Sequence, residues 1–283
     1  VTEVITVKRI LKSFFLYLLA VTSIAAEEVE DKPFSIQWAV NPAPPFHILS
    51  GSFYRLGMCD VLVDQLSRNL SQVQHSTLMM PHVRIRREIE AKENLCFPCV
   101  IKREISPLYY YSDVTVVHPP LGVITTRKNR QAFKAAGILK KGRVSLQALA
   151  KDKQFYFGKP TARKYPTPLQ EVVDSFATSN HYFSVSGADA STRIMRQITL
   201  GRLGYTLEYP TALRYFTLTR GANDLVFVPT QEYGNRAVPG AIGCTRNAWG
   251  KEAIDKINMA LKDVVNHPDY VAIQQFWQVL EKN

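Results

Sequence analysis

Cys96-Phe97-Pro98-Cys99 sets two thiols three residues apart. That spacing serves dithiol redox chemistry, half of a zinc site, or two separate disulfides. A redox pair needs a helix N-terminus to stabilise its thiolate, and here the pair sits at a strand end with no helix directly after it. Zinc needs further ligands at suitable spacing, and the six histidines are scattered. Structural disulfides or free thiols remain. Four cysteines, Cys59, Cys96, Cys99 and Cys244, admit three connectivities. In an extended strand positions i and i+3 face opposite ways, so a direct Cys96–Cys99 link requires a turn. There is no G-x-S-x-G elbow, no H-E-x-x-H and no close His/Cys/Asp spacing. The expectation is therefore no enzyme, no catalytic residue, no metal and no cofactor.

The elements that must position any site follow from patterning. Lys8, Arg9 and Lys12 precede the apolar run Phe14 to Val21, and Ser23-Ile24-Ala25 supplies small residues before Ala26. This is the layout of a secretory signal peptide over 1–25, and the run is shorter than the ~20 residues a spanning helix needs. Val7, directly before the cationic stretch, is the expected start position. Cleavage removes Lys8, Arg9, Lys12 and Glu3, taking the formal charge from +11 to +9. A basic exported protein suits anionic ligands or an anionic envelope surface. No nucleic-acid motif is present, and the basic residues read as scattered surface. Export also places the cysteines in oxidising surroundings.

Phe34 to Val40 alternates as a strand, and Met58 to Leu70 carries Val61, Leu62, Leu66 and Leu70 on one helical face. Leu78 to Met80, the cysteine segment, Val114 to Val117 and Leu121 to Thr126 read as further strands, with a helix over Val83 to Lys92 and a tyrosine-rich turn before Val114. A second alternating unit runs from Ser145, which caps a short helix, to the strand Leu225 to Val228. Helices over Ala248 to Val265 and Tyr270 to Leu280 close the chain, with Phe276 and Trp277 as anchors. Two α/β units point to two lobes, and a cleft between lobes is a favoured ligand site.

Pro44-Pro45-Phe46-His47-Ile48, then Gly57 and an amphipathic helix, resembles the opening of family 3 extracellular solute-binding proteins. Ser145 to Leu149 with Phe157-Gly158 resembles the start of their second lobe, and Gly201-Arg202-Leu203-Gly204-Tyr205 the segment before a ligand-facing strand end. Pro45 to Ile48, Cys96 before Lys102-Arg103-Glu104, Arg163-Lys164-Tyr165, and Cys244 before Trp249-Gly250 resemble a branch without a firmly assigned ligand. The resemblance implies the type II periplasmic-binding-protein fold, each lobe a mixed sheet flanked by helices. Lobe 1 is expected over 26–120 plus 233–283 and lobe 2 over 121–232, with crossovers near 118–122 and 229–242. It also implies a periplasmic, monomeric binder of a small anionic or amino-acid-like solute. The partner is then an ABC-transporter permease or a membrane sensor. An envelope enzyme of dehydratase type, or an interaction protein using its basic face, is the alternative.

The same resemblance implies site residues. An arginine after the third strand grips a ligand carboxylate, because guanidinium pairs with it through two parallel bonds. Arg103 is the nearest match and Lys102 competes. Phe46 is the expected wall, with His47 and one of Tyr109, Tyr110 and Tyr111 beside it; Tyr111 is taken as the contact. In lobe 2, Thr161 and Arg163 sit at an anion-friendly position, and Glu208 or Tyr209 replaces the acid that faces a ligand ammonium. Strand alternation turns those two to opposite faces, so one of them is expected in the cleft. With the C-terminal return counted, all four cysteines fall in lobe 1. Cys96–Cys244 is the favoured disulfide, with Cys59–Cys99 second.

Overall fold

The computed structural model describes residues 33–278 apart from 162, 188 and 222. The expected leader over 1–25 lies outside the described residues, as does the end of the last expected helix. Among the described residues no helix is long and apolar enough to cross a membrane.

The first sheet holds β1 (Ser35–Val40), β2 (Gln74–Met79), β3 (Cys96–Ile101), β4 (Tyr109–Tyr111), β5 (Val116–His118) and β13 (Val238–Thr245). Its order is β2-β1-β3-β13-β4, and β5 also pairs with β13. β1 runs parallel to β2 and β3, whereas β13 returns antiparallel to β3, β4 and β5. The period of two explains how both faces are covered. Ile36, Trp38 and Val40 pack with Leu62 and Leu66 of α1 (Met58–Asn69) and with Ile257 and Leu261 of α8 (Ala248–Val264). Ala39 points the other way, into a cluster with Ile85 and Ile89 of α2 (His82–Glu90).

The second sheet holds β6 (Gly122–Thr126), β9 (Phe157–Pro160), β10 (Tyr182–Val185), β11 (Tyr205–Glu208) and β12 (Leu225–Pro229), in the order β10-β9-β11-β6-β12. Ile124 faces Ile194 and Ile198 of α6 (Ala190–Thr199) and Phe216 of α7 (Pro210–Arg220). Val123 and Phe157 face the opposite side, with Phe133 of α3 (Arg127–Ala135) and Val173 of α5 (Leu169–Ser175). Phe46, Ile48 and Met58 join this latter cluster, so apolar packing runs continuously from the first sheet's loops into the second unit. The final helix, α9 (Pro268–Gln278), seals the join. Its Trp277 is fully buried, donates from Nε1 to the Leu56 carbonyl at 2.8 Å, and packs on Phe53 and on Tyr215 of α7. Phe276, expected as a second anchor, is 38% exposed and flanks Trp277 instead.

Several elements differ from the sequence expectation, each for a physical reason. α3 buries only Phe133 among nine mostly polar residues, so it has no apolar stripe to read. A short hairpin, β7 (Leu139–Lys140) with β8 (Arg143–Val144), follows it. Tyr109–Tyr111 is a strand rather than a turn because it pairs with β13. β13 itself is a central strand that its Gly and Pro content obscured. β2 is longer than expected because its first residues, Gln74, His75 and Ser76, are polar and carry no apolar signal at this exposed sheet edge.

Cys96 and Cys244 stand opposite each other in the β3–β13 register and are joined, with an S–S distance of 1.97 Å. Cys59 of α1 is joined to Cys99 of β3. The two cysteines of the C-x-x-C pair thus serve different partners on opposite faces of one strand. The Cys96–Cys244 bond closes 148 residues of separation around the whole second sheet. Replacing both residues by alanine is expected to lower the unfolding free energy by about 2–5 kcal/mol, read as a lower midpoint in denaturant titration.

Candidate functional site

The site is assembled from strand ends and loops of both sheets. The 43–48 loop folds back on itself through Phe46 N–H and His47 N–H, both donating to the Ala43 carbonyl. It then sits on the first turn of α1, where Met58 and Cys59 N–H groups donate to the Pro45 and Phe46 carbonyls. These are helix N-terminal donors that would otherwise lack partners. Gly57 is required here: a Cβ would collide with the Phe46 carbonyl and the Asp60 carboxylate. Asp60 locks the loop by accepting from Ile48 N–H at 2.8 Å, Gly57 N–H at 3.2 Å and His47 Nδ1 at 2.7 Å.

This anchoring presents Phe46 to the second unit. Its ring meets His118 edge-on at 5.2 Å and Tyr209 at 5.6 Å, while His118 and Tyr209 are themselves 5.2 Å apart. His118 ends β5, just before the first crossover. All three side chains are buried.

Beside them lies an ion pair between a buried carboxylate and a half-buried guanidinium. Arg163 Nη2 donates to Glu208 Oε2 at 2.8 Å. Ser191 Oγ donates to the same oxygen at 2.6 Å, and Tyr209 N–H donates to Oε1 at 3.0 Å. Glu208 is 1% exposed. Burial works against the Arg163 charge, but Glu208, with Tyr165 and Tyr209, outweighs it and holds the pKa above its ordinary value. Tyr165 reaches the Leu207 carbonyl from its hydroxyl, and burial raises its pKa and that of Tyr209. The Arg163 charge is felt across the junction. Burial first, and then Arg163, push His118 down to about 4; burial, Arg163 and Arg86 do the same to His82 at the start of α2. Both imidazoles are therefore neutral near pH 7. Among the described residues the bonds Arg163 forms, to Glu208 and Ser191, all run from Nη2.

Of the residues singled out in sequence, Phe46, Arg163, Glu208 and Tyr209 come together. Tyr209 carries on the alternation of β11: its backbone is still extended as the N-cap residue of α7 and its ring packs in the cluster that holds Tyr205 and Leu207, whereas the Glu208 carboxylate is held by Arg163 and Ser191. His47 is buried but turned to Asp60. Lys102 donates to the Ser112 carbonyl at 2.7 Å. Arg103 is exposed and forms no described ion pair. Tyr111 stacks on Tyr109, whose pKa burial pushes up to about 12. Thr161 Oγ1 bonds Ser184 and Ser186 at the exposed ends of β9 and β10. His82, His118 and Ser191 carried no site reading in the sequence, and Tyr165 entered only within the Arg163-Lys164-Tyr165 segment. Only the place of His118 before Pro119-Pro120 offered a signal. A separate groove of about 890 Å³ between α1 and α9, lined by Phe53, Asp64, Arg68 and Ile273 among others, contains none of the expected ligand residues.

No family model and no curated protein sequence matches the chain. Solved structures do. The arginine-, lysine-, histidine-binding protein ArtJ from Geobacillus stearothermophilus is 13% identical, with a TM-score of 0.63 over 86% of this chain and 94% of that one. An ancestral amino-acid-binding protein, AncCDT-1, a precursor of cyclohexadienyl dehydratase, is 13% identical with a TM-score of 0.61 over 87% and 95%. A histidine kinase sensor domain with similarity to periplasmic binding proteins is 10% identical with a TM-score of 0.61 over 86% and 95%.

The histidines make the junction sensitive to pH. Above about pH 6.5 they are neutral in the folded and unfolded chain alike. As pH falls toward about 4 the unfolded chain binds protons that the folded protein refuses, so stability drops. The expected slope is at most about 1.4 kcal/mol per pH unit for each histidine. Chemical denaturation at pH 7, 6 and 5 checks this, and His118→Phe should flatten the curve. At the ion pair, Glu208→Leu leaves the half-buried Arg163 guanidinium without its partner and is expected to cost about 1.5–3 kcal/mol in the same assay. The element order, the two mixed sheets and these likenesses establish that the chain has the two-lobed type II periplasmic-binding-protein fold.

Proposed function

We propose that the protein binds a small amino-acid-like or other carboxylate-bearing solute between lobe 1 (26–120 with 233–283) and lobe 2 (121–232), in a periplasmic setting, and releases it by hinge opening. The observation that carries this reading is the Arg163–Glu208 pair set against the Phe46, His118 and Tyr209 rings. A ligand carboxylate takes the remaining guanidinium donors of Arg163, and the rings supply a flat apolar wall. The amino-acid-binding neighbours support the class of ligand. Lys102, Arg103, Tyr111, Thr161 and His47 are then supporting or outlying residues rather than the centre of the site. An ABC-transporter permease or a membrane sensor is the fitting partner of a monomeric binder, and the sensor-domain neighbour favours keeping both.

Two other readings each rest on one observation. A dehydratase-like reaction on this fold is favoured by the dehydratase-precursor neighbour. Adsorption to an anionic envelope surface is favoured by residues 127–141, which carry Arg127, Lys128, Arg130, Lys134, Lys140 and Lys141 and no acid.

Thermal-shift screening of amino acids and small carboxylates separates the three. The binding reading expects a saturable shift at one ligand per protein, with the compound recovered unchanged. Arg163→Gln should weaken binding about 10–100-fold, the loss of a charge-assisted hydrogen bond worth roughly 1.5–3 kcal/mol. Product formation supports the enzyme instead, and adsorption that collapses with salt supports the surface reading.

A further inference from the structure

Two observations on the lobe-1 side are not used by the cleft. The first is a cluster: a ring nitrogen of His47 and the sulfurs of Cys59 and Cys99 all lie within 4.8 Å of one another. The second is an orphan. His47 is 1% exposed; its Nδ1 is held by Asp60 Oδ1 at 2.7 Å, while its Nε2 is buried with no hydrogen-bond partner. A buried polar nitrogen left unpaired is costly. A carboxylate fixing one imidazole nitrogen, with the other left free, is the outer-shell arrangement that orients a metal-ligating histidine. Asp60 is in turn fixed by two backbone N–H groups.

We propose that reduction of the Cys59–Cys99 disulfide opens a soft-metal site in which the Cys59 and Cys99 thiolates and His47 hold one Cu(I) ion. Thiolates select Cu(I) and zinc over harder cations. Three ligands, with no fourth His, Cys, Asp or Glu in the cluster among the described residues, suit trigonal Cu(I) better than tetrahedral zinc.

The reducing step is dithiol exchange. A thiolate of an external dithiol attacks Cys99 Sγ, and the S–S bond to Cys59 breaks with Cys59 leaving as the thiolate. The reagent's second thiolate then attacks the mixed disulfide. Cys99 leaves as a thiolate and the reagent departs as its cyclic disulfide, having supplied both electrons. Solvent protons make both cysteines thiols, and Cu(I) binding returns those two protons to solvent. Selectivity comes from access. Cys99 is half-buried, whereas Cys96 and Cys244 are both fully buried.

The site adjoins the 43–48 loop that carries Phe46 but does not depend on the solute-binding reading, and it is tested without any solute. The protein is treated anaerobically with a dithiol, peptide mapping verifies that Cys96–Cys244 persists, and Cu(I) is titrated against a chromogenic chelator. The expected result is one Cu(I) per reduced protein, none in the oxidised protein and none in Cys59→Ser/Cys99→Ser. X-ray absorption should show two sulfurs and one nitrogen, and His47→Gln should bind at least tenfold more weakly. Absence of Cu(I) uptake by the reduced protein overturns the proposal, as does equal uptake by the double serine variant, an all-sulfur shell, or stoichiometric Zn(II) held in preference to Cu(I). The absorption spectrum needs no variant, so it decides even where His47→Gln fails to fold.

Discussion

A carboxylate buried to 1% exposure must be met by positive charge and donors, and Glu208 is met from three directions. Arg163 arrives from the segment after β9, Ser191 from the first turns of α6, and the Tyr209 N–H from the residue that opens α7. One side chain thus fixes the relative positions of a strand end, two helix starts and a crossing loop. Removing a charged pair from water costs several kcal/mol per ion, so such a pair persists only where hydrogen bonding is nearly complete. Its stabilising value is small for that reason. What it supplies is a fixed guanidinium at the junction.

The first unit is built to meet that guanidinium. Gly57 lets the 43–48 loop press on the start of α1, and Asp60 holds the loop by three hydrogen bonds. Phe46 is thereby carried onto Tyr209 and His118. The ring wall and the Arg163 charge also explain each other's electrostatics. Burial against the Phe46 and Tyr209 rings first, and then the Arg163 charge, keeps His118 neutral. α9 adds a second tie, since Trp277 touches Phe53 on one side and Tyr215 on the other.

Much of this was legible in sequence. Alternation at Phe34 to Val40 and the apolar face of α1 marked real elements, and the order of weak motifs pointed to the two-lobed fold. The i, i+3 geometry of Cys96 and Cys99 required separate partners in a strand, and each has one. Phe46, Arg163, Glu208 and Tyr209 were singled out, and they meet. The misses have physical causes. α3 shows no periodicity because only Phe133 is buried, and β13 is disguised by its glycines and proline. His118, Ser191 and the approach of His47 to the Cys59–Cys99 bond depend on contacts between distant segments, which spacing along the chain does not encode.

On the proposed reading, Arg163, fixed by Glu208, is the anion-gripping group of an interlobe solute site. Native mass spectrometry of the protein purified from its own cell envelope tests it most directly, with wild type and Arg163→Gln compared under the same gentle ionisation. A single small-molecule adduct is expected on the wild type, released as an intact carboxylate-bearing compound, with none on the variant. An adduct of equal abundance on Arg163→Gln, or wild-type protein that carries none, would contradict it.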